Sequence, residues 1–69
     1  MPLTMAAIGD TATIRKISGK DETRRFLENL GFVAGTVVTI ISRVGENVIV
    51  SIKDSRVAID SNLAKKILI

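Results

Sequence analysis

The stretch that most restricts this chain is "FLENLGFVAGTVVTII", residues 26–41, where a helical pattern meets a strand pattern through Gly31 and Gly35. Upstream, "DETRRFLENL" (21–30) sets Thr23, Phe26, Leu27 and Leu30 at i, i+3, i+4 and i+7, the stripe of an amphipathic helix with one buried face. Asp21 is the expected N-cap, where its carboxylate also suits the positive end of the helix dipole. Asp21 and Arg25 form an i, i+4 pair in the better orientation. Gly31 stands where a helix end calls for positive φ, which a residue without Cβ adopts freely. Counting back from Gly31 makes Leu27 and Phe32 the two positions that touch in a Schellman motif. Val33-Ala34-Gly35-Thr36 then suits a type II turn with Gly35 third. Gly31 and Gly35 are thus structural turn residues that redirect helix into strand.

Around this junction the chain reads as short strands. "TATIRKI" (11–17) alternates Ala12 and Ile14 against Thr11, Thr13 and Arg15, and Ile17 breaks the alternation, so a bulge or strand end belongs near Lys16. "TVVTIISRV" (36–44) is apolar on both faces, Val38 with Ile40 and Val37 with Ile41. A small sheet needs only one such face, so the helix or another protein covers the second. After a turn at "GEN" (45–47), Val48, Val50 and Ile52 point inward. A second turn at "DS" (54–55) leads to "RVAID", with Val57 and Ile59 inward. Asp60 or Ser61 caps a helical turn at about 61–65, a further turn falls near 3–8, and "KILI" is a last strand. The expectation is a mainly β, small barrel of about five strands with one inserted α-helix at about 21–30. Closure would remove exposed edges from a chain rich in β-branched residues.

Sixty-nine residues predict a single domain, 1–69, which buries only about 60% of its unfolded surface. With no cysteine or histidine, neither a disulfide nor a zinc staple is available. Stability therefore rests on apolar packing, and the second face of the 37–41 strand offers a surface for self-association. The 46% hydrophobic content and mean hydropathy of +0.36 exclude a disordered chain. The runs "VVTII" and "VIV" are far short of the roughly 20 residues that span a bilayer. A start without basic side chains is a poor signal peptide, so a cytoplasmic location is expected.

The same inventory excludes most chemistry. Lacking His and Cys, the chain has no conventional triad and no thiol nucleophile. Its seven carboxylates form no compact pair, and no spaced calcium-type ligand loop occurs, although a carboxylate-only cation site stays open. "GFVAG" follows a helix and lacks the Gly-Lys-Ser/Thr ending of a phosphate loop. A net charge of +3, spread over Arg15-Lys16, Arg24-Arg25 and Lys65-Lys66, reads as solubilising charge. With only two aromatics, no nucleic-acid platform is expected. Phe32 and Val33 have two readings: a staple over the helix end with a filler of the barrel mouth, or an apolar partner patch rimmed by Arg24 and Arg25.

Taken together, "PL", "IGDTATI", "RRFLENLGFVAGTVVTI", "VIVSIKDSRVAID" and the terminal "LAKKILI" resemble the ferrous iron transport protein A family, FeoA, over essentially the whole chain. The resemblance implies an SH3-like barrel with an inserted helix. It also implies a non-enzymatic, cytosolic accessory protein of bacterial ferrous iron uptake. The implied partner is the membrane-embedded GTP-hydrolysing transporter subunit, and no cofactor or metal ligand is carried over. Two departures from the family pattern are Ala34, where proline is common, and Asp54, where glycine is frequent. The same fold also occurs as the C-terminal domain of metal-dependent repressors of the diphtheria-toxin-repressor type. That supplies the alternative of an SH3-like regulatory or nucleic-acid-associated domain. Because the chain opens on Met1 and shows no helix-turn-helix, a stand-alone protein is the expected form.

Overall fold

The computed structural model describes residues 1–69. A 3-10 turn, Leu3–Met5, precedes β1 (Thr11–Thr13) and β2 (Lys16–Ile17). Helix α1 (Asp21–Asn29) leads to β3 (Val37–Val44), β4 (Asn47–Ile52) and β5 (Ser55–Asp60). The short helix α2 (Ser61–Ala64) and β6 (Ile67–Leu68) complete the chain. One ladder runs β1-β3-β4-β5 and a second pairs β2 with β6, every pair antiparallel.

The expected first strand is two. β1 pairs with β3, whereas Arg15 N–H already donates to the Leu68 carbonyl at 2.7 Å, so the chain changes sheets between Ile14 and Lys16. That bend lets Ile14 and Ile17 both face the core despite their odd spacing. It also raises the strand count from about five to six. The chain ends meet beside β6, where Pro2 bridges Leu68 and Met1 and Ile69 exchange hydrogen bonds of 2.7 Å.

Fourteen buried side chains, all apolar, form one cluster. Val38 and Ile40 of β3, Val48, Val50 and Ile52 of β4, and Ile59 of β5 alternate inward as their spacing requires. Val57 packs against the cluster only partly buried. In β3 the register slips between Ile40 and Ser42, so Ile41 is the extra residue of a bulge. Past it Arg43 lies opposite inward-facing Val48. Its Nη2 donates to the carbonyls of Thr4, at 3.1 Å, and Ala6, which pins the N-terminal turn over the barrel end.

The hairpin turns correct two boundaries, the first because Asn47, expected in the turn, already pairs with Val44 as the start of β4. Between β3 and β4 lie Gly45 and Glu46, and only Gly45 has positive φ (59°), the type II′ pattern. Between β4 and β5 the turn residues are Lys53 and Asp54, not Asp54 and Ser55. Their φ values of 49° and 65° are those of a type I′ turn, whose twist matches the flanking strands. Lys53 looks like strand in sequence because it continues the alternation of β4.

Candidate docking surface

Helix α1 is amphipathic by spacing, but its burial is narrower than its pattern. Leu27 is fully buried, whereas Phe26 stays 52% exposed and Leu30 37% exposed, with Thr23 half-buried. A helix of only nine residues resting on a small barrel has room to insert one knob, so the stripe expected to be buried leaves Phe26 and Leu30 in solvent, one turn apart. Nor is Asp21 the N-cap. Lys20 holds that position, and Asp21, the first helical residue, accepts from Arg24 Nη2 at 2.7 Å instead of pairing with Arg25. The i, i+3 geometry wins because the carboxylate has no capping role to hold it back.

The C-terminal junction forms as its glycines demand. Phe32 N–H donates to the Leu27 carbonyl and Gly31 N–H to that of Glu28, both at 3.0 Å, the two bonds of a Schellman motif, with Gly31 at φ 108°. Thr36 N–H donates to Val33 at 3.1 Å and Gly35 has φ 90°, the type II turn. Gly35 N–H further donates to Ile14 at 2.8 Å, and Ile14 N–H to Thr36 at 2.9 Å, which ties the junction to the end of β1.

This geometry separates the predicted patch residues. Phe32 is fully buried, folded back over the helix end into the core, so its side chain is not available to a partner. Val33 is half-buried beside it, and Arg24 and Arg25 are exposed on α1. The aromatic that does face solvent is Phe26, which periodicity assigns to the core. The only sequence signal for its exposure is the shortness of the helix. On the other flank, Val37 is 52% exposed, so α1 does not cover the second face of β3.

A second grouping is invisible in sequence. Pairing of β2 with β6 sets Lys16 opposite Leu68 and Ser18 N–H on the Lys66 carbonyl, at 2.7 Å. Lys16 and Lys66, fifty residues apart, therefore lie on the same face of this ladder, opposite buried Ile17 and Ile67, with the Lys66 stem lying over Gly19. Met1, Arg15, Lys16 and Leu68 line a cleft of about 300 Å³ there, and a second of about 230 Å³ includes Arg43, Glu46 and Ser61. Neither holds two carboxylates, and no three acidic side chains converge anywhere. No helix is long and apolar enough to cross a membrane.

An apolar barrel presenting arginines and a bare phenylalanine on one short helix defines a small SH3-like domain whose prominent features are surfaces. A model of the FeoA domain matches residues 1–69, and the chain belongs to the FeoA family. The family places it in ferrous iron transport. Among solved structures, an iron uptake regulatory protein (FeoA) is 25% identical, with a TM-score of 0.89 over 97% of this chain and 91% of that one. The zinc complex of Stenotrophomonas maltophilia FeoA, described as an SH3 domain protein possibly acting as a bacterial ferrous iron transport activating factor, is 26% identical. It aligns with a TM-score of 0.86 over 99% of this chain and 87% of that one. T. acidophilum IdeR also contains the fold, at 26% identity and TM-score 0.86, over 97% of this chain but 32% of its own. No curated protein sequence matches.

Proposed function

We propose that this chain is a single-domain, non-enzymatic accessory protein of bacterial ferrous iron uptake, acting in the cytoplasm on the cytosolic portion of the membrane GTPase subunit. The observation that carries the reading is the family match across the entire chain. Two features support it. The sequence lacks the histidine and cysteine on which most catalytic sites rely. Helix α1 also exposes Phe26 and Leu30 one turn apart, an apolar pair on a helix that carries the exposed Arg24 and Arg25 on its other faces, and protein interfaces favour such an aromatic centre. Phe32 contributes by fixing the helix end, and Val33 borders the surface.

The test is saturable binding of the purified transporter GTPase domain to the immobilised protein, with and without guanine nucleotide. Phe26→Glu is expected to weaken binding at least about tenfold while leaving the far-ultraviolet spectrum unchanged, because an exposed aromatic anchors contact without holding the fold. Absence of binding by the unaltered protein in every nucleotide state overturns the docking. A second reading, an SH3-like regulatory domain, draws on the likeness to IdeR. Binding to nucleic acid that falls steeply with salt would favour it, since phosphate contacts release counterions.

A further inference from the structure

Strand β5 ends the four-stranded ladder, so one side of its backbone has no partner strand. The two-residue turn at Lys53-Asp54 makes Ile52 and Ser55 a hydrogen-bonded pair, and the antiparallel rule alternates from there. Val50–Val57 and Val48–Ile59 exchange bonds; Ser51–Arg56, Ile49–Ala58 and Asn47–Asp60 do not. Arg56, Ala58 and Asp60 therefore aim their amides at the free edge, and none of the three donates to a turn or loop carbonyl. All three residues are exposed.

Natural edges are blunted by proline, a bulge, charged side chains or a covering element. β5 has no proline and no bulge, reading SRVAID in unbroken register with β4, and of these devices it carries only charge, at Arg56 and Asp60. Those charges form a palindrome. Arg56 and Asp60 lie symmetrically about Ala58, with Val57 and Ile59 between. In antiparallel pairing with an identical strand about a two-fold axis at Ala58, Arg56 faces Asp60 of the second copy, twice over, and Val57 faces Ile59. Each Ala58 exchanges both of its bonds with the other, and each Asp60 N–H meets an Arg56 carbonyl. Any other centre loses both charge pairs. The charges are unspent within the chain. Its one ion pair is Arg24–Asp21, Arg56 makes no hydrogen bond through its side chain, and Asp60 uses only Oδ1, on the Leu63 N–H.

We infer that β5 is a self-recognition edge that joins two copies of this chain into an isologous dimer, the two four-stranded ladders running on as one sheet. This surface is separate from α1, so dimer and transporter docking are compatible and independently testable. The strand pairing buries little area, so the dimer is weak, with dissociation constants of about the micromolar range or above.

Sedimentation equilibrium of the full chain over a wide concentration range is expected to show monomer–dimer exchange that weakens with added salt. Ala58→Pro removes the central outward amide without touching the bonds to β4, and should shift dissociation at least about tenfold with the spectrum of a folded protein. Arg56→Asp and Asp60→Arg should each be monomeric alone, through like-charge opposition. Mixed together they should associate, because both carboxylates on the edge of one variant then face guanidinium groups on the edge of the other. A protein that stays monomeric throughout overturns the inference. So does self-association that Ala58→Pro and the mixed charge swap leave unchanged, which would place the contact elsewhere.

Discussion

Two phenylalanines six residues apart have opposite fates. Phe32 is sealed in the core and Phe26 stands half in solvent. Truncating the first removes a buried ring and leaves a cavity, so Phe32→Ala should cost about 3–5 kcal/mol in denaturant unfolding. Phe26→Ala should cost less than about 1 kcal/mol by the same measurement, because most of what it loses is already hydrated. The Lys53-Asp54 turn offers the converse case. Both residues occupy positive φ, where a Cβ is crowded. Asp54→Gly should raise stability by about 0.5–1 kcal/mol, seen as a higher urea midpoint at unchanged slope.

Among the elements, α1 and its exit are the most readable. The spacing of Leu27, Gly31 and Phe32 predicts that they meet in one motif, and they do, because a helix end has few ways to satisfy its last carbonyls. Gly31→Val should destabilise by about 2 kcal/mol or more, read by thermal or denaturant unfolding. The added Cβ would find room, its nearest neighbour being Ile52 Cδ1 at 3.9 Å, so the penalty arises from φ and not from a clash. The caps are less readable. Asp21 and Asp60 both stand at helix starts, yet only Asp60 caps, its Oδ1 accepting from Leu63 N–H at 2.8 Å. A start one residue earlier moves a carboxylate from cap to first turn, and composition does not register so small a shift. The buried stripe of α1 is narrower than its spacing predicts for a related reason. Periodicity says which residues share a face, but the area of barrel beneath decides how many are covered.

For the whole molecule, long-range pairings hold what the short elements cannot. Arg43 reaches back to the carbonyls of Thr4 and Ala6, joining the β3 bulge to the N-terminal turn. Arg43→Ala should lower stability by about 1 kcal/mol and speed amide exchange in residues 3–7 ahead of the core strands. Arg43→Lys should recover only part, since both carbonyls accept from Nη2 and a lysine stem ends one atom short of the place where that nitrogen stands. The meeting of Lys16 and Lys66 on one face arises at this scale, as does the free edge of β5. Neither has any signature in local spacing, because each depends on which strands become neighbours.

From its letters alone the chain was committed to alternating strands, one helix, two glycine-dependent reversals at Gly31 and Gly35, and a reaction inventory without histidine or thiol. Those follow from local sterics and side-chain chemistry, which act over a few residues. Tertiary structure decided that the first strand bends between two ladders, that Phe32 and not Phe26 is buried, and that the distant Lys16 and Lys66 share a face. Those outcomes depend on how much surface a barrel this small can cover and on which strands become neighbours, quantities that exist only once the whole chain has folded.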